Sequence, residues 1–279
     1  MSACHLHPTK HGIHNPRDAQ HYGLTVEPSV CHRYGYEIVP VLYSHCCSLL
    51  LINDLDGLRD LLTHSLLGAV LKDETTRTGA AGIYSGPFGW KTEDGYCHVN
   101  IDSFLLAVRG MAAMLEEEST AASHAALHSW LPTPAELLRI AEYEVGWLCF
   151  CVGTTHPALL CARLHGERLG NWNATVEVAE GLLRIEEFNP VFRTEALRLL
   201  GRAKAKLGER AAACKATEDA VAEAVGAKYV WLEMLSLHDL LQWSQPGAVE
   251  GVRARLRAVV SRMSASSEEL TGILGEGVL

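Results

Sequence analysis

Histidine is the side chain best suited to hold a metal or move a proton near neutral pH, and this chain places six of its 14 histidines in the first 35 residues. Cys4, His5, His7, His11 and His14 are soft and borderline donors of the kind zinc and copper take. Their pattern, HxHxxxHxxH, matches no closed tetrahedral site. Pro8, Gly12, Pro16, Gly23 and Pro28 interrupt it, so the plainer expectation is an irregular arm over 1–35 with adventitious metal affinity.

Two further histidine clusters are weaker. His124 and His128 share one helical face, but Ala125 stands where the HExxH pattern needs glutamate. Cys97 and His98 would need a third group to orient the imidazole before they made a nucleophile–base pair, and adjacent side chains rarely point at one another. Neither GxSxG nor a phosphate-binding glycine–lysine loop occurs. The glycines of 79–95 do not follow a strand as a dinucleotide site requires. No catalytic residue and no cofactor are therefore expected.

The remaining candidate is a basic stripe in an acidic protein. Arg198, Arg202 and Lys206 recur every four residues and line one face of a helix. Guanidinium groups on one face suit carboxylates through bidentate hydrogen bonds. The plainer reading is a solvated face paired with Glu195 and Glu209.

The elements that position these residues are read from periodicity and caps. Ser44 to Ile52 ends one helix. Asn53-Asp54 breaks it and caps a second, whose face is Leu55, Leu58, Leu62, Leu66 and Ala69. Residues 73–100 change character, with five glycines and one proline between Thr78 and Gly95. Phe104, Leu105, Val108, Met111 and Leu115 mark the next helix, and a short one follows through Trp130. Leu131-Pro132 is the expected domain boundary. Thr133-Pro134-Ala135-Glu136 is a capping box with proline in the first turn, and Asn189-Pro190 repeats the cap-then-proline logic. Asn173, in Asn-Ala-Thr, reads as a helix-start residue.

The stretch from Thr194 to Val225 then reads as two helices hinged at Gly208. Ala196, Leu197, Leu200, Ala203 and Leu207 form the face of the first, and Ala213, Ala216, Ala220 and Ala224 that of the second. Gly201, mid-helix, implies a second backbone packed close. Pro246 is expected to start a further helix, with Val249, Val252, Leu256 and Val259 inward and Arg253, Arg255, Arg257 and Arg262 outward. Ser266 and Glu269 form one more capping box before an apolar tail.

Composition limits the function. A net charge of −9 argues against a nucleic-acid surface. Nine cysteines without a CxxC pair fit free buried thiols in a reducing compartment. MSACHLHPTKHGIH has no apolar core of a secretory signal, and no apolar run approaches the roughly 20 residues a membrane span needs. A soluble, intracellular, cytoplasmic protein is expected.

The Thr194–Val225 unit resembles a tetratricopeptide repeat, a helical hairpin with a period of about 34 residues. With Thr194 first, Leu197, Leu200, Gly201, Gly208, Ala213 and Ala220 fall on the family's favoured positions. Lys204 and Val225 depart from it, standing where an aromatic and a proline are preferred. Aligning Gly170 with Gly208 gives a second unit from His156, with Leu159, Ala162, Gly170, Ala179 and Trp172 in place. Arg163 and Leu182 match poorly there. A third unit starts at Lys228, with Trp231 on the family's tryptophan position. The resemblance covers about 156–262.

It implies that Arg198, Arg202 and Lys206 line a concave groove, where some family members clamp peptide carboxylates. Leu160, Leu164 and Arg168 would line it on one side, and Tyr229, Leu232 and Ser236 on the other. The expected fold is therefore all-α, an α-solenoid of helical hairpins over 132–279. An N-terminal helical segment over 36–131 carries the glycine-rich insert, and the irregular arm precedes it. The expected function is non-enzymatic, a scaffold that binds a partner peptide or helix, with an acidic end suited to the basic centre. Two alternatives stand beside it. One is a metal-dependent enzyme or metal-binding protein using the histidine arm and the 79–98 insert. The other is a structural subunit whose arm orders on a neighbour.

Overall fold

A computed structural model describes residues 46, 49, 54–64, 101–115, 120–144, 157–185, 190–263, 270, 271, 274 and 275. Of these, 81% are helical and none lies in a strand, which makes the class all-α. The helices are α1 (Leu55–His64), α2 (Ile101–Met114), α3 (Ala121–Trp130), α4 (Pro134–Glu144) and α5 (Pro157–Glu167). They continue with α6 (Trp172–Leu182), α7 (Pro190–Lys206), α8 (Arg210–Gly226), α9 (Val230–Trp243) and α10 (Val249–Val260). From α5 to α10 each helix packs on the next, and α7 also touches α5 on one side and α9 on the other. This is an array of antiparallel hairpins with alternate helices sharing a side.

Local chemistry sets several helix starts. Asp54 accepts a hydrogen bond from the Gly57 N–H at 2.9 Å and opens α1, which buries Leu58 and Leu62. At α4 the Thr133 N–H donates to the Glu136 carboxylate at 2.8 Å, and the Glu136 N–H donates back to the Thr133 hydroxyl. The Thr133 backbone and then its hydroxyl hold the Glu136 carboxyl below its usual pKa. Pro190 is the first residue of α7, as its cap-then-proline sequence predicts.

Between consecutive helices of the array, three turns use positive φ, at Gly170 (68°), Gly208 (83°) and Lys228 (61°). Each is closed by a hydrogen bond back into the preceding helix. The Asn171 N–H reaches the His165 carbonyl at 2.7 Å, Glu209 reaches Lys204 at 2.8 Å, and Tyr229 reaches Ala224 at 2.9 Å.

Gly201 has the close neighbour its position implies. A Cβ there would lie 3.2 Å from the Ala213 carbonyl oxygen and would collide with the Thr217 hydroxyl. Opposite it, Ala213, Ala216, Ala220 and Ala224 are all buried.

Three local expectations are corrected. The buried stripe of α7 is Phe192, Ala196, Leu199 and Ala203; Leu197 and Leu200 are half-buried and Leu207 is exposed. Helices pack on both flanks of α7, which shifts its buried sector, and Leu207 lies beyond the last helical residue. The cap of α6 is Asn171, whose side chain accepts from the Ala174 N–H at 3.2 Å, while Asn173 is exposed inside the first turn. Pro246 sits in a turn, and α10 begins at Val249 with Ala248 as its cap residue. Its inward face is otherwise as expected, with Val252, Leu256 and Val259 buried.

Two cores result. The first joins Ala113, Leu127, Leu137, Leu164, Val178 and Leu199, so it runs across the Leu131–Pro132 position. The second joins Val221, Trp231, Leu237, Leu256, Leu270 and Leu274. No described helix is long and apolar enough to cross a membrane.

Candidate functional site

The stripe on α7 is not a row of free cations. Arg198 is buried and donates from Nε to Asp239 Oδ2 at 2.8 Å and from Nη1 to Glu195 Oε1 at 2.7 Å. Arg202 grips the same carboxylate, with Nη2 at 3.0 Å and Nε at 3.2 Å from Asp239 Oδ1. Its Nη1 lies 3.7 Å from Glu167, which also takes Arg163 at 3.3 Å. Charges thus alternate in one ladder, Arg163, Glu167, Arg202, Asp239, Arg198, Glu195, across α5, α7 and α9.

The geometry accounts for the electrostatics. Burial alone would raise the Asp239 carboxyl, but Arg198 and then Arg202 outweigh it and hold it below its usual value. The Asp239 carboxylate in turn drives the Arg202 guanidinium above its usual range, against the effect of burial. His238 is half-buried beside this pair. Burial lowers its pKa, and Asp239 only partly offsets that.

The expectation of a solvated face is therefore corrected. Glu195 does pair with Arg198, but Glu209 pairs with Lys204 at 3.1 Å and not with the stripe. The face is dry at Arg198 because α9 packs on α7 and brings Asp239 to it. Lys206 is the exposed member, with no ion pair among the described residues.

The flanking residues divide in the same way. Leu160 and Leu164 are fully buried, and α2 lies over them: a Cβ at Gly110 would come 2.7 Å from Leu160 Cδ2 and 3.8 Å from Leu164 Cδ1. Arg168 donates from Nη2 to the Met114 carbonyl at 2.6 Å, at the last residue of α2. A cation on the final carbonyls of a helix is worth about 0.3–1 kcal/mol at an exposed site. On the other side, Leu232 and Ser236 are buried, and the Ser236 hydroxyl donates to the Leu232 carbonyl at 2.7 Å. Tyr229 is half-buried, and burial raises its phenol.

The offset that carries Gly170 onto Gly208 carries Leu160 onto Arg198, Leu164 onto Arg202 and Arg168 onto Lys206. One helix face is thus used two ways. On α5 it holds a helix, and on α7 it holds an ion-pair ladder.

Asp239 is the residue that sequence reading missed. Its signal was an acid set among apolar residues in WLEMLSLHDLLQW, because a buried carboxylate within apolar neighbours requires a cation. Among the described residues no group of three or more His, Cys, Asp or Glu is placed to hold a metal. His124 is half-buried and His128 exposed on α3. His5, His7, His11, His14 and the 79–98 insert lie outside the described residues. No family model matches the chain, and no curated protein or solved structure matches it significantly.

Proposed function

We propose that this chain is a non-enzymatic interaction protein whose hairpin array, of tetratricopeptide type, grips a helix of a partner on the side shared by α5, α7 and α9. One observation carries the reading: the array already grips a helix there, α2, with Gly110 against Leu160 and Arg168 on its terminal carbonyl. Close approach at a small residue and a cation at the carbonyl end are the two demands that a helix makes of its seat. Lys206 occupies the place of Arg168 on the next hairpin and is exposed, so it is the group assigned to the acidic end of the partner. Arg198 and Arg202 serve as the rigid support behind it, since their guanidinium groups are engaged with Asp239.

A photo-crosslinking residue placed at Lys206, and separately at exposed Lys215 on the outer face of α8, tests this in native extract. A defined protein crosslinked from position 206 and not from 215 is expected. Equal crosslinking from both positions, or none from 206, counts against the reading.

A further inference from the structure

We infer that α2 is an internal occupant of a helix-binding seat on α5, and that a helix of the same chemistry supplied by a partner competes with it. The inference rests on the helix-gripping reading above. It goes beyond that reading by naming the seat and the occupant and by making binding self-limited.

Three observations lead to it. First, the seat is built from Leu160 and Leu164, fully buried beneath α2, and Arg168 at its end. These are the residues that the turn-glycine offset places opposite Arg198, Arg202 and Lys206. Second, α2 meets the seat through Gly110. The absent Cβ leaves room for Leu160, whose Cδ2 and Cγ would lie only 2.7 and 3.0 Å from it. A glycine in mid-helix weakens the helix itself while it permits the close crossing, so this seat selects a small residue at that point. Third, α5 is the principal neighbour of α2 among the described helices, whereas α5 itself packs on α4, α6 and α7 as well. Among the described helices α2 is thus the less embedded of the two, and the one to exchange.

The competing ligand is therefore an amphipathic helix with glycine or alanine at the crossing and free carbonyls in its last turn. It enters with its carbonyl end toward Arg168. Any such helix must displace α2, so the apparent affinity is lower than the affinity of the vacated seat.

The probe is a fluorescent synthetic peptide of residues 101–115, titrated by anisotropy into the full-length chain. Gly110→Leu in the chain removes the room at Leu160 and should free the seat. Binding at least ten-fold tighter to Gly110→Leu than to wild type is expected. Adding Arg168→Ala should weaken it again, and a peptide that itself carries leucine at the glycine should bind neither chain. Equal or absent binding to a Gly110→Leu chain that still unfolds cooperatively overturns the inference. If that variant does not fold, hydrogen exchange in the wild-type chain decides. Excess peptide should speed exchange in the chain's own 101–115, and unchanged exchange overturns the inference. The assay needs no natural partner, so its failure is separable from failure of the crosslinking test.

Discussion

At the scale of single residues, His238 reports the ladder from its edge. Its imidazole is held below the ordinary histidine pKa, chiefly by burial, which the Asp239 carboxylate only partly offsets. The unfolded chain therefore binds a proton here at pH values where the folded chain does not. Its stability contribution is whole above about pH 6.5 and is lost as pH falls through the lower folded value. Asp239 has the same sign but a lower window, because its folded pKa lies beneath the ordinary carboxylate value of about 3.9. Between about pH 7.5 and about pH 5.5 only His238 changes charge of the two. Urea midpoints should fall across that interval in wild type and hold level in His238→Gln. A slope that survives the substitution would place the titrating group elsewhere.

At the scale of elements, the α7–α8 hairpin is set by small residues rather than by large apolar ones. Gly201 faces the Ala213 carbonyl and Thr217, whose hydroxyl is already committed to that carbonyl at 2.8 Å. Backbone cannot retreat as a flexible side chain can. Gly201→Ala should therefore cost roughly 1–3 kcal/mol through overpacking. At Gly208 a Cβ meets nothing within 4 Å but the φ is 83°, so Gly208→Ala should cost about 1 kcal/mol through backbone strain alone. Chemical denaturation of both variants checks the order. If Gly208→Ala proves the more damaging, close packing is not what glycine serves at 201.

At the scale of the whole molecule, the ladder spans the joint between the two cores. Leu199 of α7 belongs to the first core and Trp231 and Leu237 of α9 to the second, while Arg198 and Arg202 reach Asp239 across the gap. Removing the charge of Asp239 leaves two arginines facing an amide in a dry site. Asp239→Asn should cost about 3–5 kcal/mol, against less than about 1 kcal/mol for Asp219→Asn in the exposed pair with Lys215. Native-state hydrogen exchange should show α9 and α10 opening ahead of α5 and α6 in that variant. Uniform loss of protection would mean that the two cores do not separate there.

The same scale separates what was legible in the sequence from what was not. The capping box at Thr133, Pro190 at a helix start, the turn at Gly208 and the alanine stripe of α8 were readable because each depends on neighbours a few residues away. The register of burial on α7 was not, because both of its flanks are set by other helices. The pairing of the basic stripe was not legible for the same reason. Nothing near Arg198 in sequence announces Asp239, and nothing near Leu160 announces Gly110.

The neutrality of the ladder has a kinetic consequence. Three arginines and three carboxylates cancel along the array face, so the excess charge of −9 resides elsewhere on the chain. A paired row projects little field beyond a Debye length, about 8 Å at physiological ionic strength. A partner of the kind proposed above would be steered to this face by Lys206 and hardly by the paired arginines. Added salt should thus change the rate of encounter only as much as one lysine permits, leaving lifetime in the complex to shape and packing.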